Sequence, residues 1–365
     1  MSSQSLSELL AERTLWLCEQ PSVITFEEAL CEALQQRVAP LCRRVQRVGN
    51  SLVCWGPRKG RPLVGLFGHL DTVPKHPESR PTQRDGDRIY GLGASDMKSG
   101  LAIMWTLLEQ LDLDALPYDL VAVFYDQEEG PFVDNGLGPT LEQIPELLEI
   151  GLGFALEPSD NVVQVGAVGT MHAAVVFEGR ACHSARPWQG ENAVHKAGVF
   201  LTELDARQAV TVDCGGFAFR EVMSVTGATG GRARNIIPER FELNVNYRFA
   251  PGKDLEQAKQ DVLDFVAGRA RVEFLDPSPS GRVVTRANPL FDRFLSVTGA
   301  EVAPKQAWTD VARLTQAGID AVNFGPGLSS QAHQKDEYVR VDLIEQGYRM
   351  FQSFLCYAPG LSSPS

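Results

Sequence analysis

Seven side chains of this 365-residue sequence are candidates for a divalent metal site: His69, Asp71, Asp96, Glu128, Glu129, Glu157 and His333. His69 and Asp71 lie one residue apart, where a short apolar run over 63–67 predicts a buried strand that opens into a loop. In an extended segment, residues i and i+2 point the same way, so both side chains can enter one pocket. We interpret Asp71 as the carboxylate that takes the second ring N–H of a metal-binding His69 and fixes the orientation of the ring.

The composition of this set predicts two metal ions in one site. Imidazole and carboxylate ligands suit zinc, cobalt or manganese, and the lack of cysteine argues against a purely structural zinc site. If Asp71 is the partner of His69 and one glutamate of the Glu128-Glu129 pair is a base, five ligands remain. Five are too many for one catalytic zinc that must keep a position open for water. They suit two metals with one bridging carboxylate, an arrangement that hydrolyses amides or esters. In the pair Glu128-Glu129, one side chain can bind metal while the other is the general base towards the attacking water.

Each feature has a less specific interpretation when it is taken alone. Adjacent glutamates are usually a solvated loop, Asp96 before a helix is usually a cap, and a single histidine such as His333 is more often structural. The joint occurrence of these residues near the ends of predicted strands favours a dimetal hydrolase.

Strands and helices alternate along most of the chain, which predicts an α/β fold with a mostly parallel sheet. Ligand sites in such sheets lie beyond the carboxyl ends of the strands, which is where most of the candidate ligands fall. Helices are predicted over 5–18, 25–38 (with Thr25 as N-cap), 101–111, 140–150, 290–298 and 341–355. Strands are predicted over 44–53, 63–67, 119–125, 154–156 and 319–324.

The pattern changes between residues 170 and 280. Strands are predicted there over 170–177, 222–226, 241–249 and 271–274, and helices over 192–207 and 254–267. This β-α-β-β-α-β order is the split βαβ arrangement. We therefore predict an inserted α+β, ferredoxin-like domain over 170–280, within a discontinuous metal-binding catalytic domain of 1–169 and 281–365.

Composition limits the class of partner and the compartment. A formal net charge of -12 argues against nucleic acid, because phosphate binding needs a basic face. No apolar run approaches the ~20 residues of a membrane span, and the first eight residues lack the basic and apolar regions of a signal peptide. The seven scattered cysteines, never spaced Cys-x-x-Cys, indicate reduced thiols. We expect a soluble cytoplasmic protein with neither nucleic acid nor membrane as partner.

Four stretches together resemble the signatures of the dizinc aminoacylase and carboxypeptidase superfamily, the M20 metallopeptidases. They are GHLDTVP (68–74), GLGASDMKSG (91–100), DQEE (126–129) and LEP (156–158). The resemblance runs from end to end of the chain. It implies that the inserted domain is a lid and dimerisation domain, and that the protein is a homodimer.

The resemblance also implies a role for each candidate ligand. Asp96 would bridge two divalent metal ions, zinc or alternatively cobalt. His69 and Glu157 would complete one metal site, and Glu129 and His333 would complete the other. The remaining two residues, Glu128 and Asp71, would be the general base and the partner of His69.

Further stretches, 179–195, 245–251, 308–313 and 323–327, resemble one subgroup of the superfamily, the succinyl-diaminopimelate desuccinylases. The implied reaction is cleavage of N-succinyl-LL-2,6-diaminopimelate to succinate and LL-2,6-diaminopimelate, on the route to lysine. Such a polyanion needs cationic contacts, for which Arg248 and Arg186 are candidates, with Asn235 as a hydrogen-bonding residue. An exposed cross-strand pair is an equally good interpretation of Arg248. By the resemblance, His183 would reach the partner subunit's site and stabilise an oxyanion; without it, His183 is an exposed loop histidine.

Two alternatives stay open at this point. The same dimetal chemistry could act on another N-acyl amino acid, such as N-acetylornithine, or on a C-terminal peptide bond, because all of these substrates carry a carboxylate. A non-catalytic binding protein on the same fold would be expected to lack a ligand or the base, and none is missing from the set.

Overall fold

The computed structural model describes residues 5–357, which fall into two compact units. Within the described residues, unit 1 comprises 5–166, 284–303 and 309–357, and unit 2 comprises 167–283 and 304–308. Residues 1–4, part of the N-terminal stretch on which the expected compartment was based, lie outside the described residues.

The secondary structure follows in chain order. The helices are α1 (Leu6–Glu19), α2 (Glu28–Val38), α3 (Ser99–Gln110), α4 (Leu137–Gln143), α5 (Ala193–Lys196), α6 (Gly198–Ala206), α7 (Leu255–Val266), α8 (Pro289–Thr298), α9 (Val311–Gln316) and α10 (Val341–Leu355). The first strands are β1 (Arg44–Val48), β2 (Ser51–Trp55), β3 (Leu63–His69), β4 (Gln83–Asp85), β5 (Arg88–Tyr90), β6 (Asp119–Tyr125), β7 (Ile150–Ala155) and β8 (Val163–Val165). The later strands are β9 (Gly169–Glu178), β10 (Val210–Cys214), β11 (Phe217–Gly230), β12 (Arg240–Phe249), β13 (Arg271–Ser278), β14 (Val302–Pro304), β15 (Ala321–Asn323) and β16 (Tyr338–Arg340).

The main sheet of unit 1 confirms the α/β prediction. Its strand order is β1-β2-β6-β3-β7-β15-β8-β14, and the central strands β6, β3, β7 and β15 run parallel. Every residue of β3 and β6 is buried, as expected for parallel strands that are covered on both faces. On one face lies an aromatic cluster in which Phe154 of β7 packs against Phe294, Phe351 and Phe354 of helices α8 and α10.

Three predictions for unit 1 were wrong in detail. The segment 44–53 is not one strand, because the chain reverses at Gly49 (φ 57°) and β1 pairs with β2 as an antiparallel hairpin. The segment 140–150 is not one helix, since α4 ends at Gln143 and Pro145 begins a separate 3-10 turn before β7. Thr25 is not an N-cap: it has a positive φ of 72°, its N–H donates to the Glu27 carboxylate, and α2 begins at Glu28.

Unit 2 is a five-stranded antiparallel sheet in the order β10-β11-β12-β9-β13. Buried residues alternate along β12, and apolar side chains of its buried face pack with Phe200 of α6 and Val262 of α7. Strand β10 was not predicted; it joins β11 through a turn at Gly215 and Gly216, both with positive φ. The predicted helix 192–207 is divided at Ala197 into α5 and α6.

Candidate metal centre

The parallel register of unit 1 brings three polar segments to one edge of the sheet. His69 is the last residue of β3 and pairs with Tyr125, the last residue of β6, so the loop carrying Glu128 and Glu129 begins beside it. On the other side of β3, Phe67 pairs with Ala155, which ends β7 two residues before Glu157. The carboxyl ends of the three strands therefore converge, as the alternating pattern predicts.

The carboxylates and imidazoles at this edge form three groups whose ligand atoms lie within 4.8 Å of one another. The groups are His69 with Glu128 and Glu129, His69 with Asp96 and Glu157, and Asp96 with Glu129 and His333. The last two share Asp96: its Oδ1 lies 3.2 Å from His69 Nε2, and its Oδ2 lies 3.6 Å from His333 Nε2. One carboxylate thus faces both imidazoles, which is the arrangement that a bridging ligand needs.

Asp71 is fully buried behind this edge and holds two adjacent segments. Its Oδ1 and Oδ2 accept the backbone N–H groups of Glu128 and Glu129 at 3.0 and 2.9 Å. The Nδ1 atom of His69 lies 3.0 Å from the backbone oxygen of Asp71 and 3.5 Å from its carboxylate. Asp71 therefore contacts His69, as the sequence predicts, and also fixes the backbone of both glutamates.

Glu337, which the sequence analysis did not single out, anchors the segment that carries Asp96. Its buried carboxylate accepts the backbone N–H groups of Ser95 (2.8 Å) and Asp96 (2.9 Å) at Oε1, and that of Gly93 (2.8 Å) at Oε2. The only sequence signal was its position four residues after His333, in a polar stretch that otherwise predicts a solvated loop.

Two glycines allow a third segment to approach the ligands closely. A Cβ atom at Gly325 would lie 2.3 Å from the backbone oxygen of Leu156 and 2.5 Å from that of Glu157. A Cβ atom at Gly327 would lie 2.1 Å from the backbone oxygen of Ser95. Only glycine fits at these positions, because real side chains do not approach backbone atoms so closely.

The crowding of like charges changes the proton affinity of the site. Burial and the nearby Glu157 carboxylate raise the pKa of Glu128 well above its ordinary value. A hydrogen bond with Glu129 raises the pKa of His333 to about 9. Burial alone would lower the pKa of His69, but Asp71 and Asp96 hold it well above its ordinary value. Burial raises the pKa of Glu337 to about 7, although its backbone hydrogen bonds oppose the shift.

The donor set fits divalent metals. Two imidazoles and several carboxylates converge here, and His69 and His333 form ion pairs with Asp71, Asp96, Glu129 and Glu157. So many acids crowded together are costly without bound cations. Three sets of ligands within one another's reach, two of them joined through Asp96, favour more than one ion.

The other four predicted site residues belong to unit 2. His183 forms an isolated antiparallel β-bridge with Ile236, and the Ser184 N–H donates to the Asn235 backbone oxygen at 2.9 Å. His183 and Asn235 therefore lie on neighbouring segments. The Arg186 N–H donates to the His183 backbone oxygen at 2.8 Å in the same turn. Arg248, in β12, donates from Nε to Asn246 Oδ1 at 3.0 Å, and burial lowers its pKa. The role of each stays a prediction.

Residues 65–357 match the model of peptidase family M20/M25/M40. The chain belongs to this family.

Several curated proteins are similar to this chain over most of its length. A Mycobacterium tuberculosis protein, provisionally described as a succinyl-diaminopimelate desuccinylase, is 36% identical over 85% of this chain and 86% of its own. Corynebacterium glutamicum succinyl-diaminopimelate desuccinylase is 32% identical over 85% of each chain. Myxococcus xanthus acetylornithine deacetylase is 31% identical over 82% of this chain and 80% of its own.

The fold of this chain is also seen in a solved structure. A tripeptidase from Staphylococcus aureus superposes with a TM-score of 0.78 at 20% identity, covering 96% of this chain and 97% of that one. Family membership makes this chain a hydrolase that binds divalent metal and acts on a small molecule. Among residues 5–357, none of the helices combines the length and apolar character that a membrane span requires.

Proposed function

We propose that this M20 hydrolase cleaves the amide bond of N-succinyl-LL-2,6-diaminopimelate, giving succinate and LL-2,6-diaminopimelate. The observation that carries the proposal is the pair of ligand groups joined through Asp96, with the Glu128 carboxylate beside them. The names of the Mycobacterium and Corynebacterium relatives support the substrate, since both are matched over most of their length.

We assign the metal ligands by their grouping in space. His69 and Glu157 would hold one ion and Glu129 and His333 the other, with Asp96 contributing one oxygen to each. We propose zinc, with cobalt as the alternative, because the donors are imidazole and carboxylate. When bound, the two ions would polarise the scissile carbonyl and make a water molecule acidic enough to lose a proton near neutral pH.

Glu128 is the proposed general base. It follows the end of β6, its backbone is held by Asp71, and its carboxylate can take a proton from the attacking water. It would then give that proton to the amine nitrogen as the amide C–N bond breaks, so that the products are a carboxylate and a free amine. The geometry also brings Glu128 within ligand distance of His69 and Glu129, so the roles of base and ligand must be separated by experiment.

Arg248 is the proposed contact for a substrate carboxylate. Among the described residues no ion pair of Arg248 with an acidic group is found, and its Nε–H donates to the neutral side chain of Asn246. A partly buried guanidinium of this kind is suited to a carboxylate ligand. We propose Arg186 and Asn235 as further substrate contacts and His183 as a residue that stabilises the oxyanion in the partner subunit of a homodimer.

The proposed compartment is the cytoplasm. All seven cysteines are free, and Cys18, Cys31 and Cys54 are buried, which suits a reducing compartment.

The competing function is deacetylation of N-acetylornithine on the same site, which the Myxococcus relative favours. The test is steady-state hydrolysis by the zinc-loaded protein of N-succinyl-diaminopimelate, N-acetylornithine and a short panel of acyl-amino acids. A clear kcat/KM preference for the succinyl compound supports the proposal. A preference for N-acetylornithine replaces it with the alternative, and no hydrolysis of any compound by the loaded protein refutes both.

A further inference from the structure

Glu337 joins the two chain segments that carry the proposed ligands Asp96 and His333. It is only 4% exposed, and each oxygen of its carboxylate points at backbone N–H groups of the Gly93–Asp96 segment. His333 precedes it by four residues on the same loop. The position of one ligand is therefore tied to that of the other through a single side chain.

The contact is reinforced on both sides. Gly91 N–H donates to the Glu337 backbone oxygen at 3.1 Å, and Ser95 Oγ donates to the Tyr338 backbone oxygen at 2.7 Å. Strand β16, which begins at Tyr338, pairs with β5, which ends at Tyr90. The Gly91–Asp96 segment is consequently held along its length, because the N–H groups of Gly91, Gly93, Ser95 and Asp96 all donate to Glu337.

A carboxylate is a costly choice for a contact this close to the metal ligands. A further carboxylate has been buried beside Asp96, where the existing acids already repel one another. An amide or hydroxyl could have accepted fewer bonds at a lower cost in desolvation. Three N–H groups on one carboxylate instead hold the backbone at the residue that must reach two ions at once.

We propose that Glu337 is a positioning residue that sets the backbone of the Gly93–Asp96 segment so that Asp96 reaches both metal ions. The inference deepens the proposed function and rests on its assignment of Asp96 and His333 as ligands. In this proposal Glu337 contacts neither substrate nor metal, since both oxygens of its carboxylate accept backbone N–H groups. Its effect is transmitted through the main chain of Asp96.

The test measures the segment and metal binding separately. Hydrogen–deuterium exchange over 93–96 is followed in the metal-free full chain, and Zn²⁺ is titrated by calorimetry into wild type, Glu337→Gln and Glu337→Asp. Glutamine keeps the shape but presents a donor to one of the N–H groups, whereas aspartate keeps the charge but is one methylene shorter. Either variant serves if the other does not fold.

Asp119→Asn is the matched control. Asp119 is also a fully buried carboxylate that accepts three backbone N–H groups, those of Lys59, Gly60 and Arg61. It begins β6, at the opposite end of the strand from the metal centre. This control therefore reproduces the loss of a buried carboxylate and its loop contacts without touching the ligands.

We expect slow exchange over 93–96 in the wild type, faster exchange in both Glu337 variants, and zinc affinity weakened about 10- to 100-fold. Asp119→Asn should bind zinc as the wild type does. Zinc affinity within twofold of wild type in a Glu337 variant whose segment exchanges faster would overturn the inference, as would unprotected amides in the wild type. If Asp96→Asn binds zinc as tightly as the wild type does, then Asp96 is not a metal ligand, and the proposed role of Glu337 is refuted together with that assignment.

Discussion

Replacing Asp71 by asparagine tests how far one buried carboxylate organises the metal centre. In the wild type its two oxygens accept the N–H groups of Glu128 and Glu129 at 3.0 and 2.9 Å. Asparagine has one oxygen, so one N–H would face an amide donor and the remaining bond would lose its charge. A hydrogen bond to a charged group contributes about 1.5–3 kcal/mol, and an unmet buried N–H costs about 1–3 kcal/mol. Because these terms overlap, we expect a loss of about 2–4 kcal/mol in the free energy of unfolding.

An opposing effect separates the metal-free from the metal-loaded protein. Removing one negative charge from a cluster of acids relieves repulsion, and this relief is greatest when no cations are bound. Denaturant unfolding of Asp71→Asn should therefore show a smaller loss without metal than with saturating zinc, and zinc affinity should fall about 10- to 100-fold. Asp119→Asn serves as control, with a similar loss of stability and unchanged zinc affinity. Wild-type stability and zinc affinity in Asp71→Asn would refute the argument that Asp71 holds the Glu128-Glu129 backbone.

Three further results are expected. Burial alone would raise the pKa of Asp119, but Arg61 and the loop amides hold it below its ordinary value. The contribution of the Asp119 carboxylate to the free energy of unfolding is therefore present above the unfolded pKa of about 3.9, and it is lost as the pH falls through the lower pKa of the folded state. Denaturant unfolding at a series of pH values should thus show the gap between wild type and Asp119→Asn closing in acid, and a gap that widens there contradicts this sign. Since His333 has a pKa of about 9 and must be neutral to bind metal, zinc binding at pH 7.5 should release about one proton or more per chain, and apparent affinity should rise with pH up to about 9. Calorimetry in buffers of different ionisation enthalpy measures this release, and its absence would argue against His333 as a ligand. Gly325→Ala and Gly327→Ala should weaken zinc binding because each Cβ would displace a ligand-bearing backbone, whereas Gly198→Ala, with nothing within 4 Å of the added atom, should not.

The sequence was most informative where strand ends and residue types coincide. The apolar runs of β3 and β6 are followed at once by His69 and by the Glu128-Glu129 pair, and a parallel sheet must bring such ends together. The convergence of His69 with the Glu128-Glu129 pair could therefore be anticipated, whereas the roles of Asp96 and His333 as ligands were implied by the family resemblance. Asp71 was expected beside His69, which it contacts.

Other features depend on contacts between distant parts of the chain. The hydrogen bonds of Glu337 reach back more than 240 residues to the Gly93–Asp96 segment, and no local pattern distinguishes this glutamate from a solvated one. The two glycines of the 325–327 turn predict a loop, but their need to approach Leu156 and Ser95 is a property of the folded chain. The predicted elements differ from the structure where a turn residue interrupts an apolar pattern, as Gly49 and Pro145 do.

The role of Glu128 as general base at a dimetal centre is tested most directly by the Glu128→Gln variant, assayed for metal content and for hydrolysis of N-succinyl-diaminopimelate. The amide keeps the size of the side chain but cannot take a proton. We expect as many metal ions per chain as in the wild type and a kcat lowered about 10²- to 10⁴-fold. Loss of metal would mean that Glu128 is a ligand, and turnover near the wild-type rate would mean that it is not the base.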